Sequence, residues 1–142
     1  MIVHSVDELD KVIEELIKYA GDCKTLLFYG EIGAGKTTLI QRFCKYFDVV
    51  ENVTSPTFTL VNEYTFKNET DQSEQLIHHL DLYRLKSINE AIDIGIEDYL
   101  YDNYYCLIEW PEIIEPLISE HTVKIKIQLL DNSSRKIIFL YD

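Results

Sequence analysis

Residues 30–37 read GEIGAGKT, between an apolar run at 25–29, TLLFY, and a helix-like run from Lys36 to about Phe47, KTTLIQRFCKYF. The octet satisfies GxxxxGK[ST] at every defined position and has the strand-to-helix setting that the pattern requires. Gly30, Gly33 and Gly35 let backbone N–H groups turn inward as an anion nest, and the following helix lends its positive N-terminal end. In such a loop Lys36 reaches the β- and γ-phosphates and the Thr37 hydroxyl is a Mg²⁺ ligand. The nucleotide contacts expected here are Gly33, Ala34, Gly35, Lys36, Thr37 and Thr38.

The pattern around the loop implies an α/β fold. Upstream, SVDELDKVIEELIKYA (5–20) spaces Val6, Leu9, Val12, Ile13, Leu16 and Ile17 as one helix face, with Ser5 available as cap and Glu8 three residues on. Downstream, TFTLVNEYTF (57–66) alternates: Phe58, Leu60, Tyr64 and Phe66 on one face, Thr57, Thr59, Glu63 and Thr65 on the other. The polar KNETDQSEQ (67–75) suits a hairpin loop, and LIHHLD (76–81) returns as a strand. Ser87 opens a helical region interrupted at Gly95, YCLIEW (105–110) is a further strand, and Pro111 can occupy the first turn of a short helix. TVKIKIQLL and RKIIFLYD flank Asp131-Asn132-Ser133-Ser134 as a terminal hairpin. Hairpins beside a strand–loop–helix unit require a mixed sheet. With 142 residues, residues 1–142 are expected to form a single domain burying ~70% of the unfolded surface.

A nucleoside triphosphatase also needs carboxylates to hold metal and position water. Two acids close apolar strands: Asp81 after LIHHL and Glu109 after YCLI. Ligands of open α/β sheets gather beyond the carboxyl ends of the strands, which would bring both acids to the loop. Lys36, Asp81 and Glu109 are therefore the catalytic candidates, and Thr37, Asp81 and Glu109 the metal candidates. His78 and His79 do not read as a metal pair, because adjacent strand residues point to opposite faces and no third ligand stands at a recognisable spacing. Arg84 could meet phosphate, a partner, or a neighbouring acid.

Composition narrows the class. The chain is 46% hydrophobic and 27% charged, with no apolar stretch near the ~18 residues of a membrane span and an N-terminus unlike a signal peptide, so a cytoplasmic location is expected. Three cysteines, Cys23, Cys44 and Cys106, lack the spacing of a disulfide framework or zinc site. A net charge of -12 disfavours an unaided grip on nucleic acid and favours a protein partner.

Four segments, GEIGAGKTTL from Gly30, SPTFTLVNEY from Ser55, HHLDLYRL from His78 and IEWPE from Ile108, together resemble the bacterial TsaE (YjeE) family of small P-loop ATPases. The resemblance implies an ATPase, using ATP and Mg²⁺, that assists synthesis of N6-threonylcarbamoyladenosine (t6A) beside the anticodon of tRNA, in association with the TsaD and TsaB proteins. It also implies that Thr57 lies in a switch-like segment sensing the γ-phosphate, that Asp81 is the acid of the second nucleotide motif, and that Glu109 serves metal binding or water activation. Trp110 and Pro111 would sit against the site. The adenine pocket is fixed by no short motif; residues near His4 and Ser5 and the hairpin around Arg135 are its candidates. The alternatives are a regulatory ATP-binding module with incidental hydrolysis and a small P-loop kinase. The kinase is disfavoured because Arg42, Arg84 and Arg135 are the only arginines. A GTPase lacks its guanine-reading NKxD.

Overall fold

Thr25–Tyr29 (β2) is apolar along its length because both of its faces are covered: Leu26, Leu27 and Phe28 are each fully buried, each stabilising the fold by about 1.5–3 kcal/mol. This strand lies at the centre of a seven-stranded sheet in the order β1-β7-β6-β2-β5-β4-β3, where β1 is Ile2–Val3, β3 Val61–Lys67, β4 Glu74–Asp81, β5 Tyr105–Glu109, β6 Val123–Leu129 and β7 Arg135–Tyr141. The structure, a computed structural model, describes residues 1–56, 60–119, 121–131 and 133–141.

Strands β6, β2, β5 and β4 are mutually parallel, and the antiparallel pairs β3–β4, β6–β7 and β1–β7 complete the two sides. The expected mixed sheet and both expected hairpins are present. The two-residue β1 was not anticipated, since so short a segment carries no period of its own.

Helices cover both faces. Leu9–Ala20 (α1) and Lys36–Tyr46 (α2) bury Leu9, Val12, Ile13, Leu16, Leu39, Ile40 and Phe43 in one core with Phe28, Tyr64, Ile77 and Leu107. Ile88–Asp93 (α3), Ile96–Leu100 (α4) and the 3-10 helix Pro111–Leu117 enclose the second core, which contains Leu27, Leu80, Ile96, Cys106, Ile108 and Ile114. The break at Gly95 is a left-handed residue, φ 78°, between α3 and α4, and Ser87 caps α3 by accepting from the Glu90 N–H.

Two local expectations are corrected. The first helix does not run unbroken from Ser5: Val6–Glu8 forms a 3-10 turn before α1, and the Ser5 hydroxyl makes no capping bond. In that tighter turn the Glu8 N–H is taken by the Ser5 carbonyl, while the Glu8 carboxylate accepts from the His4 N–H at 2.8 Å. Of the alternating strand expected over 57–66, Val61–Lys67 is strand and Leu60 is not: it adopts φ 65°, outside the β region. Thr57, Phe58 and Thr59 lie outside the described residues.

Candidate nucleotide site

The glycine loop leaves the end of β2 and enters α2. Gly33 and Gly35 have φ 82° and 109°, and the left-handed Gly35 stands at the N-cap of α2. Gly30 is required for a different reason. A Cβ there would meet the Ile127 carbonyl oxygen at 2.9 Å and the Ala34 Cβ at 3.1 Å, so the loop can lie against β6 only without a side chain.

Parallel register brings the two acids together. Asp81 pairs with Glu109 across β4 and β5, and Phe28 with Glu109 across β2 and β5, so both carboxylates stand at the strand ends nearest the loop. Ile32, Gly33, Gly35, Lys36, Thr37, Thr38, Ser55, Asp81, Glu109, Trp110 and Arg135 line one cavity of about 350 Å³. Lys36, Thr37, Asp81 and Glu109, singled out in the sequence, thus converge. Thr57 lies outside the described residues, and Ala34 faces a neighbouring groove.

Lys36, Thr37, Ser55 and Asp81 are each held in this cavity. Lys36, only 5% exposed, donates from Nζ to the Gly30 and Glu31 carbonyls, and its ammonium lies 4.2 Å from the centre of the Trp110 ring. Burial pulls its pKa below the ordinary lysine value, opposed by the charges of Glu109, Asp81, Glu112 and Glu31. The Thr37 hydroxyl lies 2.9 and 3.1 Å from the two Glu109 carboxylate oxygens. The Ser55 hydroxyl donates to Asp81 Oδ2 at 2.7 Å, and the Tyr83 N–H donates to Asp81 Oδ1 at 3.0 Å. Trp110 takes φ 55°, uncommon for a bulky residue, and packs its ring 5.0 Å from that of Tyr83.

The sequence reading missed two participants, Tyr64 and His79. His79 Nε2 lies 2.7 Å from Glu109 Oε2, and Tyr64 Oη lies 2.9 Å from His79 Nδ1 and 3.0 Å from the Thr54 carbonyl oxygen. The period of two puts His79 on the same face as Asp81, a signal that was available; its contact with a neighbouring strand is a tertiary fact. His78 faces the other way, toward Asp102 at 2.6 Å. Among the described residues no group of three or more His, Cys, Asp or Glu is gathered closely enough to hold a metal ion by itself.

A second groove of about 270 Å³ adjoins the first and shares Gly35, Thr38 and Arg135 with it. Val3, His4, Ser5, Ala34, Leu39, Ile127 and Ile137 also line it, the surroundings suggested for an adenine. Arg135 donates from Nε to the Ala34 carbonyl at 3.0 Å, tying β7 to the loop.

The Thr37 hydroxyl and the Asp81 and Glu109 carboxylates are hard oxygen donors of the kind that would suit Mg²⁺. A parallel-centred mixed sheet flanked by helices, with the glycine loop joining β2 to α2, is a P-loop NTPase-like architecture. The family described as "Threonylcarbamoyl adenosine biosynthesis protein TsaE" matches residues 3–137, and the chain belongs to it. Similar proteins bearing the name tRNA threonylcarbamoyladenosine biosynthesis protein TsaE include that of Rickettsia conorii, 37% identical over 135 residues, covering 94% of this chain and 73% of the relative. That of Haemophilus influenzae is 36% identical, covering 87% and 75%, and that of Bacillus subtilis 33% identical, covering 84% and 69%. The crystal structure of Bacillus subtilis YdiB superposes with a TM-score of 0.74 at 24% identity over 98% of this chain and 82% of that one, a likeness of fold. No helix among the described residues is long and apolar enough to cross a membrane.

Proposed function

We propose that the chain is a single-domain, cytoplasmic P-loop ATPase that supports t6A modification of tRNA, binding and hydrolysing Mg-ATP in association with TsaD and TsaB. The observation that carries this reading is the convergence of Lys36, Thr37, Asp81 and Glu109 on one cavity at the ends of β2, β4 and β5. Family membership supplies the pathway.

In this reading Gly33, Gly35, Thr38 and the Lys36 ammonium bind the phosphates, and Ala34 shapes the loop beside the base groove. Thr37, Asp81 and Glu109 would hold Mg²⁺, directly or through water, and Thr57 would contact the γ-phosphate. When bound, the metal supplies neutralisation of charge on the β- and γ-phosphate oxygens. Glu109 orients the attacking water, and Asp81 is held for its task by Ser55 and the Tyr83 N–H. Trp110, packed at a tilt against Tyr83 and capped by the Lys36 ammonium, shields one side of the cavity. Transfer of the threonylcarbamoyl group belongs to the partners.

The test is ATP hydrolysis by the purified chain, alone and with the TsaB and TsaD proteins of its own organism, with modified tRNA scored in the same tubes. Hydrolysis that rises with the partners and is needed for repeated rounds of modification supports the reading. Equal turnover of modification without the chain, or with a Glu109→Gln variant that binds ATP but does not hydrolyse it, overturns coupling in favour of a regulatory or unrelated role.

A further inference from the structure

Glu109 is 3% exposed, and a carboxylate so buried must be satisfied by fixed donors. Two reach it. The Thr37 hydroxyl comes from the loop side, and His79 Nε2 from beneath, at 2.7 Å from Oε2. His79 is itself fully buried, one ladder position before Leu80, with its other nitrogen 2.9 Å from the Tyr64 hydroxyl. The Tyr64 oxygen in turn lies 3.0 Å from the Thr54 carbonyl. The result is a continuous chain from the 54–56 segment through Tyr64 and His79 to Glu109 and Thr37. It runs under the cavity and does not line it: neither His79 nor Tyr64 is among the cavity's walls.

Hydrogen-bond inventory limits how this chain can be wired. A carboxylate accepts only, so the contact at Oε2 needs a proton on Nε2. The one Tyr64 O–H lies within reach of both Nδ1 and the Thr54 carbonyl and can donate to only one of them at a time, so the Nε2–H contact sets the orientation of the imidazole and the Tyr64 oxygen packs at Nδ1. A ring fully buried between the two strands, with a partner on each nitrogen, cannot rotate to release the carboxylate without breaking both contacts.

We propose that His79 is a positioning residue: its Nε2–H fixes the rotamer of Glu109, and Tyr64 packs at the other nitrogen of the ring that does so. Thr37 binds one edge of the same carboxylate, so a Glu109 held by His79 aims its remaining lone pairs into the cavity. The role resembles that of outer partners of metal ligands, which orient the ligand and are not seen by the substrate. Its consequence for turnover rests on the ATPase reading; the hydrogen-bond geometry and the consequence for Mg²⁺ affinity do not require hydrolysis.

Three proteins test it: the wild-type chain, His79→Gln, which presents an amide N–H near the place of Nε2, and His79→Leu, which fills the volume with no donor. Calorimetric titration with ATP in EDTA and in Mg²⁺ gives the factor by which the metal tightens binding, and single-turnover assays give hydrolysis. Metal-free affinity should agree within about twofold in all three, while the Mg²⁺-dependent tightening falls about 10-fold or more in His79→Leu and returns to within about threefold in His79→Gln. Single-turnover hydrolysis should follow the same pattern. Undiminished tightening in His79→Leu, or equal loss in both variants, overturns the proposal. If the wild-type chain hydrolyses nothing while the tightening pattern holds, the ATPase reading fails and the positioning role stands. Should His79→Leu not fold, long-range proton–nitrogen correlation spectra of the wild-type chain decide: a protonated, N–H-type shift at His79 Nε2 upholds the assignment, and an unprotonated nitrogen there sinks it.

Discussion

Lys36 shows what the site costs the fold. Its ammonium is buried, and its two carbonyl partners and the surrounding carboxylates do not restore its ordinary pKa. A lysine with its folded pKa below its unfolded value weighs against folding at neutral pH, and that penalty lessens only as pH rises from the folded pKa toward the unfolded one. Replacing it with Met, similar in length and uncharged, is therefore expected to leave the melting temperature unchanged or higher while weakening ATP binding about 100-fold or more, the stability–function exchange seen at many sites. Calorimetry and thermal unfolding on the same sample check both halves. ATP affinity equal to wild type would mean that the ammonium does not meet phosphate. Trp110, against that ammonium, makes the experiment visible in fluorescence: its emission should respond to ATP in the wild-type chain and not in Lys36→Met.

Between elements, close approach matters more than side-chain chemistry. Gly30 marks where the loop crosses β6, and the atom that an added Cβ would strike is the backbone oxygen of Ile127, which cannot swing aside. Gly30→Ala is expected to destabilise by about 1–3 kcal/mol, read as a lower urea midpoint with an unchanged slope. The β6–β7 turn gives a pH prediction. The Asp131 carboxylate accepts from the Ser133 N–H at 2.8 Å, the Ser134 N–H at 2.8 Å and the Ser133 hydroxyl at 3.2 Å, and these bonds hold its pKa near 2. A folded pKa below the unfolded one stabilises fully above the unfolded value, and that contribution is lost as pH falls through the folded one. The Asp131 carboxyl carbon should titrate near pH 2 by NMR. Asp131→Ala should remove this stabilisation at pH 7 but make little difference near pH 1.5; a midpoint close to 4 would show that the turn is not ordered in solution.

The elements legible in sequence were those with a local signature. The glycine loop, Asp81 and Glu109 could be placed because strand ends and loop motifs carry short, specific patterns, and parallel register then brought the acids into line. The positive φ of Leu60 and the 3-10 turn before α1 were not legible, because an apolar period marks a face and not the backbone angle or turn type at the end of an element. The same holds for His79, whose partner is thirty residues away in sequence and becomes a neighbour only when β4 pairs with β5.

Charge over the whole surface decides how the chain can meet RNA. The net charge is -12, and exposed acids stud both layers: Asp7, Asp10, Glu14 and Glu15 on the α1 side, Glu90, Asp93, Glu97 and Asp98 on the α3–α4 side. Unaided tRNA binding requires lysines and arginines to displace counterions from phosphates, and the carboxylates presented on these two sides oppose that exchange. The isolated chain at about 0.15 M salt is therefore expected to bind tRNA more weakly than about 100 μM, the weak end of ordinary non-specific affinity. Fluorescence anisotropy of labelled tRNA, repeated over a salt series and then with TsaB and TsaD added, measures it. Tight binding by the chain alone, steepening as salt falls, would place a nucleic-acid surface on this molecule against its charge; binding that appears only with the partners would assign the RNA contact to them and leave this chain the nucleotide site.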